Sequence, residues 1–366
     1  MFTKRIKGIE PSGIRRILEL ASQVTDPIDM SIGQPDFDVP DHIKEACVNS
    51  IQAGFNRYTS SLGIPELRQK LLSHLHARNL IVEDLLITPG AAGAITLFFL
   101  ALVEEGDEVV LTDPYFLNYR HMITLTQAVP RFLDTYPDFR IRPEEVERLI
   151  GPSTKMIVLN SPGNPTGALH SEEEVQLIVE AARKHDCWIL SDEVYHDFVY
   201  DNVPFVSPAQ FYEKTLIVDS FSKSCGMPGW RLGYGTAPKE VVAEITPLQQ
   251  YLYSCAPAPI QKAGVLCVGR DVSSDRERLQ KKRDLVYEGL KDYYQVAKPE
   301  GAFYLFPEAP GGDCYPFIEK ALEKNLFLSP GDTFSRRSSN FRISYAVPDE
   351  TLVRGIEILQ SLARGA

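Results

Sequence analysis

Ser220-Phe221-Ser222-Lys223-Ser224-Cys225-Gly226-Met227-Pro228-Gly229-Trp230-Arg231-Leu232-Gly233 is the stretch on which the fold and the chemistry turn. An apolar run, Leu216-Ile217-Val218, reads as a strand and delivers Lys223 onto the loop that follows. Ser220 stands three residues before the lysine and Arg231 eight after it. Glycines at 226, 229 and 233 leave room for a bulky group against the backbone. A solvated surface lysine has no need of that setting. A nearby guanidinium and burial both disfavour the charged amine, so both push Lys223 toward a nucleophilic neutral form. Such an amine can form a Schiff base with an aldehyde.

Outward from this loop the chain has the rhythm of an α/β sheet. Short apolar strands are expected at Leu85–Thr88, Glu108–Thr112, Val129–Leu133, Met156–Asn160, Trp188–Asp192, Leu216–Asp219 and Leu232–Thr236. Helical patterns such as Ala91–Leu102 and Glu172–Lys184 fill the intervals. Continuous apolar strands between helices imply a largely parallel sheet covered on both faces. Ligands then bind at the strand ends and in the loops after them. Beyond about residue 260 the pattern changes: helices at Asp275–Lys291, Pro316–Lys324 and Thr351–Leu362 alternate with strands at Phe303–Phe306, Leu326–Ser329 and Phe341–Tyr345. Ahead of the sheet come an amphipathic helix at Pro11–Ala21, a brief strand at Ile28–Ile32, and proline-opened helices at Pro40–Gln52 and Pro65–Ala77. The reading is a large domain over 40–260 and a smaller α+β domain built from 1–39 and 261–366.

Composition narrows the function. At 366 residues, 44% hydrophobic and 24% charged, the chain is an ordinary globular protein. Its formal net charge of −11 argues against a non-specific hold on nucleic acid. No apolar stretch reaches membrane-spanning length, and the basic start Met1–Lys7 lacks the apolar segment of a secretion signal, so a cytoplasmic location is expected. The six cysteines are far apart with no CxxC pair, and the histidines show no metal spacing, so free thiols and no metal are expected. Cys225 reads as a small space-filler.

Four further stretches carry chemistry. Thr88-Pro89-Gly90-Ala91-Ala92-Gly93-Ala94 joins a strand to a helix, where open backbone amides and tiny side chains suit an anion. Asp113-Pro114-Tyr115-Phe116-Leu117-Asn118-Tyr119 follows the next strand with flat aromatic faces. Asn160-Ser161-Pro162-Gly163-Asn164-Pro165-Thr166-Gly167 is a rigid loop at a strand end. Ser191-Asp192-Glu193-Val194-Tyr195 puts an acid at the carboxyl edge of the sheet, as a helix cap or a ligand contact. Glu193 reads as solvated or structural. Arg342, in Phe341-Arg342-Ile343-Ser344-Tyr345, reads by itself as a solvated strand-edge residue.

Together, in this order, these stretches resemble the class I/II aminotransferases, which use pyridoxal 5′-phosphate on the type I fold; the pattern is most like the aspartate and aromatic enzymes. The resemblance runs from about residue 28 to 346 and takes in Pro299–Tyr304 and Ser329–Phe334. It implies that Lys223 holds the cofactor as a Schiff base and carries the proton. Asp192 would pair with the pyridine nitrogen, and Tyr195 and Asn164 would hydrogen-bond the phenolic oxygen from opposite sides. Phe116 would stack on the ring. The amides of Ala91 and Ala92, with Ser220 and Arg231, would bind the phosphate. Tyr58 would reach the phosphate of a neighbouring subunit, which implies a homodimer. Arg342 would grip the substrate α-carboxylate, with Gly33 and Asn164 beside it. Catalysis would rest on Lys223, Asp192 and Tyr195.

The implied reaction is ping-pong transfer of an amino group between an L-amino acid and a 2-oxo acid. The same cofactor also serves C–S β-lyases on this fold, and a non-catalytic ligand sensor is a third class. Sensors of that kind usually carry an appended DNA-binding domain, whereas only about 27 residues precede the first strand here. No second arginine is evidently placed for a distal carboxylate. Arg57 and Arg120 are the candidates, and Phe37, Tyr58, Phe116 and Phe303 could line an apolar side-chain pocket.

Overall fold

The computed structural model describes residues 2–9 and 24–365; the helix expected over Pro11–Ala21 lies outside them. Seven strands form the main sheet: β2 (Asp84–Thr88), β3 (Glu108–Asp113), β4 (Val129–Asp134), β5 (Thr154–Asn160), β6 (Trp188–Asp192), β7 (Thr215–Ser220) and β8 (Gly233–Ala237). β1 (Ile28–Asp29) belongs elsewhere, as described below. The spatial order is β2-β8-β7-β6-β5-β3-β4. Only β8 runs against its neighbours, pairing antiparallel with both β2 and β7. Every residue of β7 is buried, as its unbroken apolar run requires of a central strand covered on both sides.

Local sequence sets where the helices begin. Pro40 is the N-cap of Asp41–Gln52, and Pro65 opens Pro65–Ala77 at a position whose N–H would have no helical partner. Ser171 and Glu174 form a reciprocal capping box at the start of Glu172–His185. That helix opens with three glutamates and closes with Arg183, Lys184 and His185, matching the helix dipole at both ends. Helices Gly90–Leu102 and Lys239–Tyr253 bury Ile95, Leu97, Phe98, Phe99 and Ile245 against one sheet face. Ile178, Val179 and Ala182 pack on the other.

A second body packs over the carboxyl ends of the main sheet. β9 (Tyr304–Leu305), β11 (Ser329–Pro330) and β12 (Phe341–Ser344) form an antiparallel sheet in the order β11-β12-β9. β10 (Leu326–Phe327) pairs in parallel with β1, so the N-terminal segment returns to this body. Ile28 and Met30 are buried with Leu279, Val286, Phe317, Leu352 and Leu359 from helices Ser273–Leu290, Cys314–Leu322 and Asp349–Arg364. The strands here are shorter than their apolar runs suggested: Phe303–Phe306 yields only Tyr304–Leu305, and Leu326–Ser329 breaks in two. Phe303 and Phe306 are buried as core without strand pairing of their own, so hydrophobicity marked burial and not extent of strand.

Among the described residues, no helix is long and apolar enough to cross a membrane. No group of three or more His, Cys, Asp and Glu residues there could hold a metal ion.

Candidate active site

The loops after β2, β3, β5, β6 and β7 meet β12 around one cavity of about 270 Å³. Gly33, Ala91, Ala92, Phe116, Asn164, Asp192, Tyr195, Ser220, Lys223, Arg231 and Arg342 all line it. Tyr58 does not; it sits 86% exposed on the loop between Asp41–Gln52 and Pro65–Ala77. Neither Arg57 nor Arg120 reaches the cavity wall. Phe37 and Phe303 also stand back from it: Phe37 lies against Arg270 and Arg278, and Phe303 is core.

At one end the cavity is shaped for an anion. Helix Gly90–Leu102 has no side-chain cap and no acidic residue in its first turn, so its leading amides are open. Gly90 takes φ +71°, and a Cβ there would stand 2.6 Å from an Arg231 guanidinium nitrogen. Only glycine brings that guanidinium so close to the helix start. Arg231 donates to the carbonyls of Pro228 and Pro89, which holds it in place. Ser220 Oγ accepts from the Ser222 amide, 3.3 Å away, which leaves its proton to give.

Lys223 is carried by the short helix Phe221–Ser224 and donates to the Gly33 carbonyl at 2.6 Å. Burial of its amine, then Arg342 and Arg231, bring its pKa down from 10.5 to about 8, against the pull of Asp192. At pH 7 roughly one amine in ten is then neutral, compared with about one in three thousand for a free lysine.

Asp192 ends β6, fully buried. Tyr119 donates to its Oδ2 at 2.6 Å and the Val194 amide to Oδ1 at 3.3 Å. Burial raises its pKa to about 6, opposed by those two donors and reinforced by the carboxylates of Asp219 and Glu193. A carboxyl held so is poised to ionise when a cation faces it. Tyr119 was not singled out from the sequence. It follows Phe116 by three residues on helix Leu117–Thr126, and the two rings meet edge to face at 5.6 Å. That spacing was the available signal.

Arg342 is buried, not a solvated strand edge. Its guanidinium lies between the rings of Tyr304 and Phe334, 4.5 and 4.4 Å from their centroids. It donates to Asn164 Oδ1 at 2.8 Å and to the Ser31 carbonyl at 2.6 Å, and its Nε has no partner among the described residues. An isolated buried cation is costly, so a fork held this way is built to meet an anion.

Glu193 is buried and structural, not solvated. Its carboxylate accepts from the Ser191 and Ser207 hydroxyls and pairs with Arg78 at 3.4 Å. Removing one member of a buried pair strands the other, so Glu193→Ala should cost about 3 kcal/mol of folding stability. Urea denaturation would read that loss as a lower midpoint with an unchanged slope.

Residues 25–359 match the family model described as "Aminotransferase class I and II". The chain belongs to that aminotransferase family. A probable aspartate aminotransferase of Methanocaldococcus jannaschii is 34% identical, over 99% of this chain and all of the relative. A probable aspartate/prephenate aminotransferase of Aquifex aeolicus is 36% identical, over 96% of each. The solved structure of the Thermus thermophilus aspartate aminotransferase with maleate superposes at a TM-score of 0.92, with 32% identity over 99% of both chains. The architecture of this aminotransferase is therefore the type I fold of its relatives, as the motif order implied.

Proposed function

We propose that this aminotransferase moves an amino group between an amino acid and a 2-oxo acid with pyridoxal 5′-phosphate bound to Lys223. The observation that carries the reading is a lysine with a depressed pKa in a cavity that offers an anion cup at one end and a buried arginine fork at the other. The residues suit that cofactor. The Ala91 and Ala92 amides, Ser220 and Arg231 would take its phosphate, and Phe116 would lie on its ring. Asp192 would face the ring nitrogen, while Tyr195 and Asn164 would serve the phenolic oxygen. When bound, the group supplies an aldehyde for the lysine amine and a ring that accepts electrons.

The remaining work belongs to the chain. Arg342 would hold the substrate α-carboxylate by a bidentate fork, with Gly33 backbone and Asn164 beside it. With the substrate's amino group held at the cofactor, that grip would set which hydrogen on Cα faces Lys223 Nζ, the base that would take the proton. The smaller domain would be 1–39 with 261–366 and the larger 40–260, and Gly33, Tyr304 and Arg342 then line the cavity from the smaller one. The exposed phenol of Tyr58 supports a homodimer in which that side chain enters the neighbouring cavity. A cytoplasmic enzyme with free thiols fits the composition.

The test is a product assay. Protein given an L-amino acid and 2-oxoglutarate should form glutamate at a rate that scales with enzyme. Given cystathionine alone, it should release no pyruvate. Pyruvate without glutamate would replace transamination by β-elimination.

A further inference from the structure

Tyr304 is not among the residues to which the proposed chemistry gives a role, yet it meets three of them, Tyr195, Arg342 and Gly33. It lies on β9, buried, and lines the cavity. Its Oη is 2.7 Å from that of Tyr195. The Arg342 guanidinium lies over its ring. Across the sheet it is opposite Ser344, two residues from Arg342 on the same face of β12. A Cβ on Gly33 would stand 2.3 Å from its hydroxyl oxygen, so the phenol occupies space that only glycine leaves open. Gly33 is also the residue whose carbonyl accepts from Lys223.

We infer that Tyr304 is a positioning residue for the Tyr195 hydroxyl, and that through it the charge at Arg342 is felt by the oxygen Tyr195 serves. The inference rests on the Lys223 and Tyr195 roles proposed above. A phenol has one proton and two acceptor lone pairs. If Tyr195 gives its proton to a ligand oxygen, its own oxygen must accept from Tyr304, because 2.7 Å leaves no room for anything between them. A cation against the Tyr304 ring makes that phenol the stronger acid and the better donor. Burial pushes both phenols up and Arg342 draws both back, while the bond between them pushes Tyr195 higher and lowers Tyr304. Arg342, Asp192 and Lys223 are the charged groups facing the pair.

Donation along a chain of hydrogen bonds is cooperative, so Tyr304 strengthens whatever Tyr195 gives. A carboxylate arriving at Arg342 offsets the guanidinium charge, weakens Tyr304 as a donor and loosens the Tyr195 bond in turn. Tyr195 follows β6 of the main sheet and Tyr304 lies on β9 of the smaller one, so the link joins the two sheets.

Protein loaded with pyridoxal 5′-phosphate is titrated by absorbance from about pH 5 to about pH 10, with and without maleate as an unreactive carboxylate. Donation from Tyr195 favours the form with more negative charge on the ring oxygen, which is the deprotonated one. Tyr304→Phe should therefore raise the titration midpoint by about half a pH unit. The midpoint shift that maleate causes in the wild type should be smaller in the variant but not vanish, because Arg342 also donates to Asn164 beside the same oxygen. Should Tyr304→Phe fold poorly by thermal melt, Gly33→Ala displaces the same hydroxyl and should move both readings the same way. A variant with the wild-type midpoint and full maleate response would reduce Tyr304 to packing and overturn the inference. A coloured wild type with that result overturns this inference alone. A wild type that stays colourless overturns it together with the cofactor reading.

Discussion

Lys223→Ala should lower the rate of glutamate formation by at least four orders of magnitude while leaving a folded protein. Two losses combine. In the proposed reaction the amine would be the nucleophile to which the cofactor is joined, and afterwards the base at Cα; base catalysis alone contributes about 10²–10⁴. A pKa of about 8 makes that amine effective near neutral pH, and the shift comes from burial and two arginines, neither of which alanine can use. The fold should not suffer, because the lysine gives the structure one hydrogen bond, to Gly33, and removing a desolvated amine relieves a cost. Lys223→Arg is the informative companion: a guanidinium keeps the positive charge but stays protonated and forms no Schiff base, so it should be as inactive as alanine. Initial rates, a thermal melt and intact mass after borohydride treatment are the measurements. Activity above about one hundredth of wild type in the alanine variant would contradict a covalent role for Lys223.

Much of the cavity wall was legible in the chain because its parts are local. Asp192 and Ser220 end apolar strands and Lys223 and Asn164 stand three and four residues past strand ends, and a parallel sheet gathers such positions at one edge. Ala91 and Ala92 stand at the start of a helix, where open amides suit an anion, but it was the family resemblance that singled them out as phosphate donors. What was not legible depends on contacts between distant segments. Tyr304 meets Tyr195 across 109 positions, Phe334 covers Arg342 from another loop, and Arg78 reaches Glu193 across 115. No periodicity or propensity announces such meetings. The same limit explains Arg342: one charged residue on a short strand reads as solvated until two aromatic rings and the Ser31 carbonyl close around it. Short strands in the smaller body were overestimated for a related reason, since apolar runs there pack as core without pairing.

Asp192→Asn should cost about three orders of magnitude in kcat/KM, second only to loss of the lysine. Asparagine has nearly the shape of aspartate but keeps only one acceptor oxygen, so one of the two bonds from Tyr119 and the Val194 amide survives while the charge goes. A carboxylate facing a protonated ring nitrogen at about 4 Å, with an effective dielectric near 20, is worth about 4 kcal/mol. That energy would keep the nitrogen charged, and at 1.36 kcal/mol per decade it converts to about a thousandfold in rate. Tyr119→Phe separates charge from orientation: it removes one hydrogen bond to the carboxylate, worth about 1.5 kcal/mol, and should cost roughly tenfold. If the carboxylate acted only as a helix-like cap for Val194, the two substitutions would have similar, small effects on rate and the larger effect on stability. Steady-state kinetics beside denaturant melts for both variants decide between those outcomes, because a charge role lowers kcat/KM far more for asparagine than for phenylalanine at equal stability.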